Sequence, residues 1–200
     1  MKRIICILTI LSIFISHKSF AQLKLEFSGG YIHSMNPTGN FSHIDDGKQG
    51  SLAAFIPIAQ SIDLSARFIY QSRSFNKNSF SFFVPLVVGY PIPVITDGDN
   101  LKSFGLMLGT RVTSKRNSLV NTFLNAEAGL IYHSESYYEL NEAAKVKYSN
   151  SKFLFEYSLG IGFNINLSEK YALSIDGRLA HIPAESTFYF PINLGFQMPL

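Results

Sequence analysis

The chain is poor in the residues that support disulfide, thiolate and motif-based catalytic chemistry. Its 200 residues contain one cysteine, Cys6, and no tryptophan. A single cysteine excludes a disulfide framework and a cysteine-based metal site. The motifs GxSxG and HExxH and a glycine-rich phosphate loop are also absent, and these are signatures of hydrolases, zinc peptidases and nucleotide-binding enzymes. The sequence therefore favours a protein that is not an enzyme and holds no cofactor and no metal.

The start of the chain has the pattern of a targeting segment. MKRIICILTILSIFISHKSFAQ begins with basic residues, continues with an apolar stretch over 4–15 and ends in the small-residue pattern Ser-Phe-Ala. We predict a secretory signal peptide over 1–21, cleaved after Ala21, because the apolar part is too short for a comfortable membrane span. The remaining chain, 22–200, is long enough for one domain.

The predicted mature chain has no excess of positive charge. Lys2, Arg3 and Lys18 belong to the signal peptide, which leaves 14 basic residues to balance 14 acidic ones. A formal net charge of zero gives no basis for a nucleic-acid partner. No apolar run of helical length follows the signal peptide, so any membrane span must be made of strands.

Apolar residues alternate with polar ones through most of the mature chain. In 153–167, FLFEYSLGIGFNINL, the odd positions are Phe, Tyr, Leu and Ile, and most even positions are Gly, Ser, Asn or Glu. This period of two is typical of a strand with two unlike faces. The same pattern predicts nine candidate strands: 22–33, 50–59, 62–74, 80–93, 102–113, 119–133, 151–167, 170–181 and 187–199.

The connections between these strands alternate in length. Short turns near 60–62, 114–118 and 168–170 alternate with long polar connections at 34–49, about 74–101 and 134–150. Short turns on one rim and long loops on the other are typical of an outer-membrane barrel. A secreted soluble barrel or sandwich is the alternative, but small residues such as Gly and Ser suit a narrow, packed lumen better than a soluble outer surface.

One of the nine candidate strands does not fit such a barrel. Bacterial outer-membrane barrels normally have an even number of strands. The segment 80–93 has no place in the order of up and down strands, and it carries Pro85, Pro91 and Pro93, which donate no ladder hydrogen bonds. We therefore predict eight spanning strands, with 80–93 in a long second outer loop.

The chain ends in an alternating segment, FYFPINLGFQMPL, over 188–200, in which every even position is apolar. We predict that it is the last wall strand, that its even residues face lipid and that it closes against the first strand. Together with the hairpin GIGFNINLSEKYALSIDGRL and the SFAQ signal, this segment resembles the small outer-membrane β-barrel proteins of Bacteroidota-type bacteria. The resemblance covers the mature chain and is one of periodicity and turn layout.

The resemblance implies a cell outer-membrane location in a Gram-negative envelope, contact with outer-membrane lipid and lipopolysaccharide, and insertion by the barrel-assembly machinery. That machinery reads a terminal strand that usually ends in an aromatic residue. Here the chain ends at Leu200, and Phe196 is the last aromatic residue. The expected fold is all-β, an eight-stranded antiparallel up-and-down transmembrane barrel.

Charged residues of both signs occupy the predicted inner faces of the strands. Because an eight-stranded lumen is just wide enough to be filled by side chains, these charges must pair and hydrogen-bond. We predict a salt-bridged plug, and a polar ion path or narrow pore is the alternative. The residues are Lys24, Glu26, Arg67, Arg111, Glu127, Glu156, Asp176 and Arg178.

Three histidines, His33, His133 and His181, each fall at the predicted outer end of an upward strand. A ring of histidines could bind a metal or lipid phosphates, but they lie on different strands without metal-ligand spacing. We interpret them as polar residues at the membrane interface, where aromatic and amphipathic side chains commonly lie.

Two functions other than a plain structural one follow from the pattern. The segment GRLAHIPAES has the Arg-x-x-His spacing of lipid A deacylases at Arg178 and His181. Pro183 stands where those enzymes have the nucleophilic serine, so this activity is not carried over. The long loops 34–49 and 134–150 carry Asn, Asp, Tyr, Ser and Lys and offer a surface for a ligand or partner protein. The sequence favours this structural or surface-interaction role.

Overall fold

Nine β-strands make up most of the chain that the computed structural model describes, residues 23–35, 44–75, 94–114, 118–141 and 144–200. The predicted signal peptide and the segment 80–93 lie outside these residues. A short 3-10 turn, Pro183–Glu185, connects the last two strands. The strands are β1 Lys24–Ser34, β2 Ile44–Ala59, β3 Ile62–Phe75, β4 Val94–Gly98, β5 Leu101–Thr113, β6 Val120–Asn141, β7 Ala144–Asn166, β8 Ala172–Ile182 and β9 Thr187–Pro199.

Eight of these strands close into an antiparallel up-and-down barrel. Among the described strands, neighbours along the chain pair with each other, except that β3 pairs with β5 and the short β4 pairs with β6 alone. The first and last strands close the ring, with partners running from Lys24 opposite Pro199 to Ser34 opposite Tyr189. The predicted fold class is confirmed, and the terminal segment pairs with the first strand as predicted.

The two faces of each strand differ in exposure as the period of two predicts. On β9, Ile192 and Leu194 are 50% and 58% exposed, whereas Asn193 between them is 1% exposed. The same alternation around the ring gives an outer surface of Phe, Leu, Ile, Val and Tyr and an interior of polar and charged side chains. A continuous apolar outer surface of this extent requires a lipid environment. Within the described residues, no helix is long and apolar enough to cross a membrane.

The connection over 134–150, predicted as a loop, is a β-hairpin, and that prediction was wrong. β6 and β7 stay paired from Ser134 opposite Ser151 to Asn141 opposite Ala144. β2 likewise begins at Ile44, inside the predicted loop 34–49. Charged and polar residues are frequent in both extensions, and this composition led to their assignment as loops. Beyond the apolar belt, β6 and β7 continue as a hydrogen-bonded ladder.

Close backbone approach explains several glycines that face the lumen. A Cβ atom on Gly129 of β6 would lie 2.0 Å from the carbonyl oxygen of Leu106 on β5. Cβ atoms on Gly30 and Gly109 would meet carbonyl oxygens of neighbouring strands at 2.0 and 2.1 Å. A side chain at these positions would push adjacent strands apart, so glycine permits the tight coiling that a narrow barrel needs.

Candidate functional site

Six of the predicted lumen residues form one chain of alternating charge across the barrel. Glu26 accepts hydrogen bonds from Arg111 Nη2 at 3.0 Å and from Arg67 Nη1 at 3.2 Å. Glu127 accepts from Arg67 Nε at 3.2 Å and from Arg178 Nη1 at 2.7 Å. Arg178 also donates to Asp176. The sequence of charges is therefore Arg111, Glu26, Arg67, Glu127, Arg178, Asp176, with each side chain at most 4% exposed.

This charge chain joins five strands that are far apart in the sequence. Arg111 lies on β5, Glu26 on β1, Arg67 on β3, Glu127 on β6, and Arg178 and Asp176 on β8. The three arginines and three carboxylates of the charge chain have a net charge of zero. Neutral side chains add further bonds: Gln197 Nε2 donates to Glu26 at 2.8 Å and Arg67 donates to Ser51 at 2.8 Å. The bonds between the paired charges offset the cost of burying them.

Arg111 is also held between two aromatic rings. Its guanidinium carbon lies 3.8 Å from the ring centre of Phe55 on β2 and 4.1 Å from that of Phe123 on β6. Its Nε donates to Asn125 at 3.0 Å. Both rings are buried and face inward, and cation–π contact of this kind stabilises a desolvated guanidinium. The sequence analysis did not predict this pair, although Phe123 has the same parity on β6 as the lumen residue Glu127.

Glu156 lies apart from the charge chain, closer to the outer end of the lumen. It accepts a hydrogen bond from the hydroxyl of Tyr189 on β9. The Tyr189 ring lies 4.9 Å from the guanidinium carbon of Arg73, a fully buried residue. Gln71 Nε2 donates to the Tyr189 oxygen at 3.1 Å. Sequence reasoning missed Arg73 and Tyr189, although Arg73 has the same parity on β3 as Arg67.

The lumen of the described barrel is filled. A cluster of buried apolar side chains closes it towards the outer rim, with Phe75 packed against that cluster. The gap beside Glu127, Glu156 and Arg178 measures about 10 Å³, about the space of one water molecule. Lys24 lies at the periplasmic mouth, where it lines a small recess. The buried apolar residues of the outer cluster are Ile32, Ile44, Leu101, Leu154, Ala180, Ile182 and Tyr189.

His33 and His181 lie near the outer ends of β1 and β8, as predicted, whereas His133 lies eight residues before the outer end of β6, and the three do not share a face. His33 faces outward, with Nδ1 3.1 Å from Asp46 Oδ1. His181 also lies on the outer surface, where Nδ1 is 2.7 Å from the Tyr157 hydroxyl and the ring stacks on Phe188. His133 is 2% exposed and belongs to the lumen side. Among the described residues, no group of three His, Cys, Asp or Glu side chains is placed to hold a metal ion.

Arg178 and His181 lie on opposite faces of β8. Arg178 is buried in the charge chain, whereas the His181 ring lies between Tyr157 and Phe188 on the outer surface. Three residues along a strand always invert the face. The segment that shares the Arg-x-x-His spacing of the deacylases therefore brings no arginine and histidine together here.

Outside the membrane belt, β4, β6 and β7 form a small three-stranded sheet. β4 pairs with the upper part of β6, from Val94 opposite Leu140 to Gly98 opposite Tyr137. Lys147 Nζ on β7 donates to Asp99 Oδ2 at 3.0 Å, and this hydrogen bond raises the pKa of the Lys147 ammonium. The β6–β7 hairpin extends seven residues past Ser134, or about 24 Å at the usual rise per residue.

A closed eight-stranded barrel, an apolar belt around it and a neutralised polar interior define a transmembrane β-barrel of the bacterial outer-membrane type. No protein-family model matches the sequence, and no curated protein matches it. Solved structures do match the fold.

Neisserial surface protein A is similar at a TM-score of 0.58 and 8% identity, with 89% of this chain and 97% of that chain covered. Ail, the attachment invasion locus protein of Yersinia pestis, is similar at a TM-score of 0.51 and 12% identity, covering 88% and 98%. A second structure of Ail, in complex with the heparin analogue sucrose octasulfate, matches at the same TM-score and 14% identity, covering 88% and 98%. At these identities the similarity concerns the fold alone.

Proposed function

We propose that this chain is a non-enzymatic integral protein of the outer membrane, with a structural or surface-interaction role exerted through the strands that project from the barrel. The observation that carries the proposal is the β4–β6–β7 sheet above the membrane belt. A purely structural barrel needs no such extension, and exposed extensions on a rigid scaffold are where binding residues commonly lie.

The open edge of β7 is the feature of this sheet best suited to a partner. β8 pairs with β7 only from Tyr157 inward, so among the described strands β6 alone pairs with the part of β7 over 144–151. An open strand edge offers backbone N–H and C=O groups to a second extended chain. The interaction role is also supported by two fold relatives, which are named as a surface protein and as an attachment invasion locus protein.

The test is a truncation of the projecting hairpin in the full chain. Residues 138–147 are replaced by Asn-Gly, a two-residue turn that fits a β-hairpin, which joins Tyr137 to its partner Tyr148. Cells of a non-adherent Gram-negative strain that express either form are assayed for adhesion to surfaces coated with collagen, fibronectin or heparin. We expect adhesion above background for the full chain and its loss on truncation.

A gel shift between unboiled and boiled samples is the control for this experiment, because it shows that the truncated barrel still folds. Equal adhesion by the folded truncated form and the full chain would contradict the assignment to the hairpin. Background adhesion of the full chain to all three coatings would remove the support for an attachment role.

The closed lumen and the separation of Arg178 from His181 argue against the two alternative functions. A pore needs a continuous aqueous path, and two gaps in the described lumen measure only about 10 and 30 Å³. A deacylase needs its groups to converge at the outer leaflet, and these two groups are divided by the barrel wall.

We also propose that the chain is exported with a cleaved signal peptide and inserted by the barrel-assembly machinery. The basic and apolar start of the sequence supports a signal peptide over 1–21 and a mature chain over 22–200. The alternating β9 strand supports recognition by the barrel-assembly machinery. Mass measurement of the protein purified from outer membranes should give a mature chain that begins at Gln22, and a mass that includes the first 21 residues would contradict cleavage.

A further inference from the structure

The outer surface changes abruptly from aromatic to polar at one level of the barrel. The strand register places Tyr70 of β3, Phe104 of β5, Tyr132 of β6 and Phe153 of β7 side by side. The Tyr132 ring contacts the rings of Phe104 and Phe153, with centroids 4.9 and 5.0 Å apart. Aromatic rows of this kind lie at the boundary between the hydrocarbon and the headgroups.

A row of lysines and serines lies two residues further out, about 7 Å above the aromatic row. The register places Lys48 of β2 beside Ser72 of β3, and Ser72 beside Lys102 of β5. The row continues through Ser134 and Ser151, whose hydroxyls are 3.2 Å apart. Five adjacent strands thus present ammonium and hydroxyl groups at the same height.

The two ammonium groups of this row are available for a ligand. Lys48 and Lys102 are both exposed, and neither forms an ion pair within the described residues. Asp46 is the acidic side chain on the same face of β2, two positions above Lys48. It is already bonded to the Tyr31 hydroxyl and the Ser34 amide, with His33 close by.

We propose that the basic-hydroxyl row, formed by Lys48, Ser72, Lys102, Ser134 and Ser151, binds the phosphorylated headgroup of an outer-leaflet lipid. Phosphate oxygens accept hydrogen bonds from both ammonium and hydroxyl groups. With the aromatic row at the edge of the hydrocarbon layer, the basic-hydroxyl row lies at the height of the lipid headgroups. Lys48 and Lys102 lie two strands apart, about 10 Å, so the row suits a headgroup with more than one phosphate. This inference rests on the proposed membrane placement.

The experiment measures binding of lipid A with two phosphates to the full mature chain in dodecyl maltoside micelles. Titration with fluorescent lipid A compares the unchanged chain with the variant Lys48→Gln/Lys102→Gln. Because one lysine near an anionic lipid surface contributes about fivefold in affinity, the double variant should bind roughly 25-fold more weakly. The matched control, Lys147→Gln/Lys170→Gln, removes two charges elsewhere and should bind as the unchanged chain does.

Two further arms identify the ligand. Lipid A without its phosphates should bind the unchanged chain weakly, with the affinity that intact lipid A has for the double variant. Inorganic phosphate at millimolar concentration should not displace intact lipid A from the unchanged chain. The proposal would be overturned if the Lys48/Lys102 variant bound lipid A as tightly as the unchanged chain. It would also be overturned if the control variant lost as much affinity for lipid A as the double variant, or if free phosphate competed with lipid A. Heat-modifiability of each variant tests barrel folding separately, so a failure of membrane placement is distinguishable from a failure of lipid binding.

Discussion

At the scale of single residues, removal of the Glu127 carboxylate should destabilise the charge chain. It bonds two arginines at once, Arg67 and Arg178, on two other strands. Replacing Glu127 by Gln preserves its volume but leaves both guanidinium groups with excess buried charge. We expect the free energy of unfolding to fall by about 3 to 5 kcal/mol.

Urea unfolding from lipid vesicles measures this change. Glu169→Gln is the matched control, because Glu169 is exposed in the periplasmic turn and should change stability by less than about 0.5 kcal/mol. A Glu127→Gln barrel as stable as the control would show that the charge chain does not hold the lumen together.

Gly129 gives a second prediction at the residue scale. An added Cβ would lie 2.0 Å from the Leu106 carbonyl oxygen, so Gly129→Ala should force β5 and β6 apart. Overpacking of this kind costs about 1 to 3 kcal/mol. Gly29→Ala is the control, because its Cβ would lie 3.8 Å from the nearest atom. The same unfolding measurement should separate the two variants, and equal midpoints would contradict the close approach of the strands.

At the scale of elements, the wall strands follow directly from the alternation of the sequence. β9 was predicted over 187–199 and is observed over Thr187–Pro199. The inner and outer faces of β3 and β7 also follow from residue parity, since each side of a membrane wall has a different solvent. The residues Arg67, Arg111 and Glu127 therefore emerge as lumen residues from the pattern alone.

Because the outer face of β9 is exposed to lipid, a charge placed on it should lower the free energy of unfolding by an amount that depends on its depth in the bilayer. Leu194 lies midway along the outer face and is 58% exposed, so Leu194→Arg places a charge near the bilayer centre. The expected loss is about 2 to 4 kcal/mol. Leu200→Arg, at the periplasmic end, should cost about 1 kcal/mol or less. Vesicle unfolding of both variants checks the gradient, and an equal cost at the two depths would argue against a lipid-facing β9.

Other elements could not be predicted from the period of two within the wall strands. The hairpin beyond Ser134 is rich in charged and polar residues such as Glu135, Glu139 and Lys147, and this composition favoured an outer loop. β4 has five residues, and its partner among the described strands is β6. The contacts of Arg111 with Phe55 and Phe123 depend on how three strands meet in the lumen, which a pattern within one strand does not specify.

At the scale of the whole molecule, closure and filling of the barrel predict that it does not conduct. The apolar cluster near the outer rim and the charge chain beneath it fill much of the described lumen. The purified full chain should give no stable ionic current in planar lipid bilayers. Reproducible current steps that disappear on boiling the sample would contradict the filled lumen.

An eight-stranded barrel with an apolar outer surface should be embedded in the outer membrane. Heat-modifiability combined with membrane fractionation measures both properties at once. The protein should be recovered in the outer-membrane fraction, and unboiled and boiled samples should migrate differently on a denaturing gel. Recovery in the soluble periplasmic fraction, with identical migration of the two samples, would contradict a barrel embedded in the outer membrane.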